Sequence, residues 1–165
     1  MFETDRMDET PRVGAPDPAA VDHEREEEVR IDLGPVTLAG TLGPVPGARG
    51  LVVFAHGSGS SRHSPRNRRV ARGLRLAGLA TLLFDLLTAE EEEAERATRH
   101  LRFDIALLAR RLGGVTDWLA REGATRGLRV GYFGASTGAA AALVAAAARP
   151  AAVGAVVSRG GRPDL

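Results

Sequence analysis

The chain has 165 residues, and its 22 basic and 21 acidic side chains leave a formal net charge of +1 at pH 7. That balance gives no electrostatic case for nucleic acid or an anionic membrane as the main partner. Cysteine is absent, so disulfides, thiolate metal sites and a cysteine nucleophile are excluded.

Residues 1–28 are rich in Asp, Glu, Pro and Arg and poor in large apolar groups. Such a stretch cannot bury enough surface to offset the entropy of ordering, and it reads as a disordered charged tail. Met1 to Glu9 is acidic and lacks an apolar core, so it does not read as a secretory leader; a cytoplasmic location is the default expectation. From Val29 the pattern changes to short apolar runs, and Val29–Leu33 and Val36–Leu42 read as strands joined at the turn pair Gly34-Pro35. The run Leu51-Val52-Val53-Phe54-Ala55 is apolar throughout, as a strand buried on both faces requires. A Gly/Ser loop, His56 to Ser61, follows it. Ser64 then offers an N-cap and Pro65 a first helical position, which predicts a helix to about Ala77 with Val70 and Leu74 inward and Gly78 as its stop.

Ala80 to Phe84 reads as a second buried strand, ending in Asp85, whose carboxylate suits the anchoring of neighbouring loop amides. The acidic stretch Glu90–His100 reads as a solvated loop or helix start. Leu101, Ile105, Leu108, Leu112, Val115 and Leu119 mark one face of a long amphipathic helix, with Trp118 beside the stripe in the core. Leu128 to Phe133 is a third strand and Ala152–Val157 a fourth. Between them lies an Ala-rich helix, Ala139 to Ala148, too short to span a bilayer. Alternating strands and helices imply an α/β fold over residues 29–165: a doubly wound, mostly parallel sheet with helices on both faces.

Ligands of such sheets sit beyond the carboxyl ends of the strands, and two loops there have unusual composition. One is His56-Gly57-Ser58-Gly59-Ser60-Ser61; the other, Gly134-Ala135-Ser136-Thr137-Gly138, matches G-x-S-x-G between a predicted strand and a predicted helix. A serine at the apex of so sharp a turn takes strained dihedrals that push its hydroxyl outward. Positions two before and two after must be small because strand and helix nearly touch; Gly134 and Gly138 stand there. Ser136 is therefore the candidate nucleophile, and the start of the helix aims free amides at the reacting centre. The amide of Thr137 and that of Ser58, with Gly59 next in line, are the candidate oxyanion donors, each worth about a hundredfold to a thousandfold in rate. His56 reads as a brace of its loop rather than as the base.

Leu51–Ser61 (LVVFAHGSGSS), Thr81–Asp85 (TLLFD) and Gly131–Gly138 (GYFGASTG) together resemble the dienelactone hydrolase-like branch of the α/β-hydrolase superfamily. The resemblance runs from about Val29 to the end. It implies a serine hydrolase that cleaves an ester or related acyl bond of a small molecule without cofactor or metal. Ser136 matches the nucleophile, and Ser58 and Thr137 match the oxyanion donors. Dienelactone hydrolases proper carry cysteine at the nucleophile position; serine here departs from that pattern and puts their lactone substrate in question for this chain.

In this fold the triad runs Ser, Asp or Glu, then His. Only 29 residues follow Ser136 and none is histidine; His23, His56, His63 and His100 all lie upstream. The expectation is an incomplete hydrolase domain lacking its last strands and its histidine, with Asp164 as a possible triad acid. Two other readings compete. Gly131, Gly134 and Gly138 form a loose dinucleotide fingerprint that, with Arg159, would suit NADP, although the spacing misses G-x-G-x-x-G. The third is a non-catalytic pseudo-hydrolase used as an interaction domain. Oligomeric state is open.

Overall fold

The computed structural model describes residues 24–161. Six strands form one sheet: β1 (Glu27–Asp32), β2 (Thr37–Gly43), β3 (Leu51–Ala55), β4 (Ala80–Phe84), β5 (Val130–Ala135) and β6 (Val153–Arg159). Their order is β1-β2-β4-β3-β5-β6. β1 and β2 form an antiparallel hairpin and β2 meets β4 antiparallel, whereas β4, β3, β5 and β6 are all mutually parallel neighbours. The helices are α1 (Pro65–Leu76), α2 (Ala89–Thr98), α3 (Ile105–Leu119) and α4 (Thr137–Ala147), with a single 3-10 turn at Leu101–Phe103.

The fully apolar strands place side chains on both faces, as their composition demands. Val53, Leu82 and Phe84 join the larger core with Leu108, Leu112, Val115, Trp118 and Leu119 of α3 and Ala141, Ala142 and Ala145 of α4. Phe54 and Leu83 point the other way and meet Ala71 of α1, with Val70 and Leu74 packed against them. The sheet is thus a filling between α1 on one side and α3 with α4 on the other. The alternation expected within each strand is what separates the two layers. Among the described residues no helix is long and apolar enough to cross a membrane.

Three local expectations need correction. The ordered chain takes in residues assigned to the tail: β1 begins at Glu27, and Glu24 and Glu26 pair with Arg72 and Arg68 on α1. Glu26 also reaches Arg75 at 3.0 Å, a side chain only 2% exposed, which donates to Thr81 Oγ1 as well. A buried arginine on the inward face of α1 has no signature in hydrophobic periodicity; its stem packs and its head is neutralised. The rest of the predicted tail, residues 1–23, lies outside the described residues, as does Asp164.

The second correction is the acidic stretch. It forms α2, opened by a reciprocal capping box between Thr88 and Glu91. Glu95, near its end, is 0% exposed rather than solvated. Its carboxylate accepts from the amides of His100, Leu101 and Arg102, from Arg102 Nε and from the Thr98 hydroxyl. The third follows from it: the long helix begins only at Ile105, capped by Asp104, because Leu101–Phe103 is spent folding over Glu95.

Burial opposes the charge on Glu95, but the Leu101 and Arg102 amides, the Thr98 hydroxyl and the Arg102 guanidinium outweigh it and hold its pKa at about 2. A carboxylate depressed in the fold stabilises above its unfolded pKa and loses that contribution as pH falls. Glu95→Gln should therefore lower the Tm at pH 7, with the gap to wild type closing as pH drops from about 5 toward 2. Thermal melts across that range check it; a gap that stays constant would rule out the ionised carboxylate as the cause.

Candidate functional site

Both candidate loops leave the carboxyl ends of adjacent parallel strands, β3 and β5. Ser136 sits between β5 and α4 with φ 51° and ψ −121°, a left-handed backbone that serine rarely adopts. Strain of this kind amounts to about 1–3 kcal/mol and persists only where its surroundings enforce it. Here three contacts enforce it. The Ser136 amide donates to the Arg159 carbonyl at the end of β6 (3.3 Å), and the Ser136 carbonyl accepts from Ala139 (3.0 Å), which starts α4 at once. On the third side the backbone of Gly57 presses against the bend. A Cβ on Gly57 would stand 3.1 Å from the Ala135 carbonyl oxygen and 3.2 Å from Ser136 Cβ.

The flanking glycines have the steric role that their spacing implies. A methyl group on Gly134 would fall 2.5 Å from Ala139 Cα, and one on Gly138 would fall 2.1 Å from the Ala55 carbonyl oxygen. The start of α4 therefore lies directly on the end of β3, which brings the two loops together. Gly138 is consumed by strand–helix packing against the Ala55 and His56 carbonyls.

His56 is buried, and both of its ring nitrogens are engaged. Nε2 accepts from the Leu86 amide at 3.1 Å, which places the proton on Nδ1, facing the Gly57 carbonyl at 2.9 Å. The ring ties the β3 loop to the β4 loop and is a brace, as its position suggested. Asp85 performs the matching task beside it: it accepts from the Arg62 amide at 2.8 Å and pairs with the Arg62 guanidinium. Of the other histidines, His63 follows the same loop and His100 lies 3.6 Å from Glu95, and no histidine among the described residues is hydrogen-bonded to Ser136.

The oxyanion candidates are brought together, though not as the sequence suggests. Gly59 takes φ 73° inside a turn closed by the Ser60 amide on the Gly57 carbonyl (3.1 Å). Ser58 donates its amide at 3.0 Å to Thr137 Oγ1 across 79 residues of chain. Thr137 is buried at the first position of α4, where helix geometry leaves its own amide without an intrahelical partner. Sequence reasoning treated Thr137 only as a backbone donor; nothing short of the fold could reveal its hydroxyl as the link between the loops. An open groove of about 440 Å³ runs from Ser58 and Gly59 along Arg96, Arg99, Arg102 and Phe103.

No family model matches the chain. Two proteins from strains of Mycobacterium tuberculosis, each named "Putative phosphoribosyl transferase", are 62% identical over 152 residues. Those residues are 92% of this chain, but the chain spans only 33% of the length of these curated relatives. Among solved structures, dienelactone hydrolase from Anabaena variabilis is 66% identical with a TM-score of 0.83, covering 86% of this chain and 65% of that one. A dienelactone hydrolase-like promiscuous phosphotriesterase from metagenomic libraries is 22% identical at TM-score 0.66 (83% and 59% covered), a likeness of fold alone.

The glycines make the packing testable. Gly138→Ala should destabilise by about 3 kcal/mol or more, since only backbone atoms could give way. Gly73→Ala, on α1 with nothing within 4 Å of the added methyl, should stabilise by about 0.5–1 kcal/mol. Urea unfolding of the two variants measures both signs.

Proposed function

Because this chain fits the dienelactone hydrolase-like branch of the α/β-hydrolases, we propose that it carries the nucleophile and anion-binding half of a serine hydrolase for an ester or related acyl bond of a small molecule. One observation carries this reading: Ser136 is held at φ 51° on a strand-to-helix bend pressed against Gly57 of the neighbouring Gly/Ser loop. Ser136 Oγ attacks the acyl carbon, and the oxygen of that carbonyl gains negative charge where the Thr137 amide and the positive end of α4 meet it. The groove that begins at Ser58 and Gly59 takes the rest of the substrate. The reaction needs no cofactor.

A serine hydroxyl attacks slowly until a base accepts its proton. His56 cannot serve without releasing the Leu86 amide. The chain by itself should therefore show little or no turnover of p-nitrophenyl esters. The name carried by the mycobacterial relatives belongs to proteins of which this chain spans 33%, and no observation at this site favours carrying phosphoribosyl transfer over to it.

Two outcomes test the nucleophile. At pH 9, where hydroxide can accept the proton, a fluorophosphonate should add one phosphonyl group to Ser136, read by intact-protein and peptide mass spectrometry. Ser136→Gly should abolish that adduct and at the same time raise stability by about 1 kcal/mol, because glycine adopts the left-handed backbone freely. Labelling that survives in Ser136→Gly, or ordinary ester turnover that does not depend on Ser136, would reject the reading.

A further inference from the structure

The hydrogen bond from Ser58 to Thr137 assigns the threonine side chain more than a bracing task. A hydroxyl has one proton to donate and two lone pairs. The Ser58 amide occupies one lone pair of Thr137 Oγ1 at 3.0 Å. Among the described residues no acceptor is placed for the Thr137 proton, although the side chain is only 2% exposed. A buried donor left without a partner is unfavourable, and a charged acceptor is the partner that rewards it most. Thr137 also stands at the first position of α4, where its own orphan amide and the positive end of the helix face the reacting centre. The amide and hydroxyl of one residue can converge on a single oxygen.

Resting on the reading of Ser136 as nucleophile, we propose that the Thr137 hydroxyl is a side-chain donor of the anion hole. The order is Ser58 N–H to Thr137 Oγ1, then Thr137 O–H to the substrate oxyanion, beside the Thr137 N–H. The Ser58 amide thereby acts through the hydroxyl instead of touching substrate. Donation into Oγ1 polarises the O–H and strengthens its onward bond. Ser58 is then a positioning residue and Thr137 a catalytic one.

The test compares two probes that differ in the atom occupying the hole, a fluorophosphonate (P=O) and its thiophosphonate counterpart (P=S). In each reaction Ser136 Oγ bonds phosphorus, fluoride leaves, and hydroxide takes the hydroxyl proton at pH 9. Sulfur accepts hydrogen bonds poorly, so the oxo-to-thio rate ratio reports donors that reach that atom. Thr137→Val should lower the ratio about tenfold, as expected for one hydrogen bond to a developing charge, and Thr137→Ser should keep it within about twofold of wild type. Thr137→Ala adds no bulk and should match Thr137→Val, so a folding defect of one variant leaves the other to decide. If both probes slow by the same factor in Thr137→Val and Thr137→Ala, the hydroxyl is only a brace and the proposal is wrong. Absence of any adduct on wild-type Ser136 would instead defeat the nucleophile assignment, and this proposal with it.

Discussion

The closeness of α4 to the end of β3 is the constraint from which the site follows. With Gly138 resting on the carbonyls of Ala55 and His56, the helix can start only if the preceding residue reverses the chain in one step. Ser136 makes that reversal with a left-handed backbone, and the hydrogen bond to Arg159 holds it there. The same closeness puts the Thr137 hydroxyl within reach of Ser58. A strained residue, an exposed helix start and a second loop are thus three aspects of one packing contact. Alanine, the smallest side chain, is already too large for it at two positions.

Around that contact the chain invests in bracing more than in apolar bulk. His56 spends both ring nitrogens on backbone, Asp85 holds the Arg62 amide, and Arg111 joins the Leu86 carbonyl to Glu91. These bonds fix the loops that follow β3 and β4, the two strands at the centre of the sheet. Glu95 does the same for the chain entering α3. Buried polar groups of this kind contribute mainly by being fully satisfied, since each would be costly if left alone.

Much of the frame was legible from residue patterns. The runs of β3 and β4 matched their strands residue for residue, because a strand covered on both sides favours apolar side chains and admits a polar one, Thr81, only with a buried partner. The elbow was legible because glycine at 134 and 138 has a steric cause that spacing alone exposes. Charged side chains were not. Arg75 is buried against Glu26, 49 residues earlier, and Glu95 under a turn of chain that folds back over it, so their burial depends on a partner being there and not on their own hydropathy. Glu24 and Glu26 were read as solvated for the same reason. The link between Ser58 and Thr137 was beyond reach as well, since a side chain accepting from an amide 79 residues earlier leaves no local trace.

β6 closes the parallel end of the sheet, and it differs from its neighbours in being exposed along most of its length, with Val157 53% exposed and Leu143 and Val144 of α4 nearby at 47% and 49%. Past the irregularity at Gly154, where the register with β5 shifts, it carries exposed apolar side chains such as Val157 on an edge strand, the combination that recruits another β-segment. Handling this polypeptide at high concentration therefore invites strand-to-strand aggregation at that border, a colloidal liability set by backbone geometry and independent of whatever chemistry the serine performs.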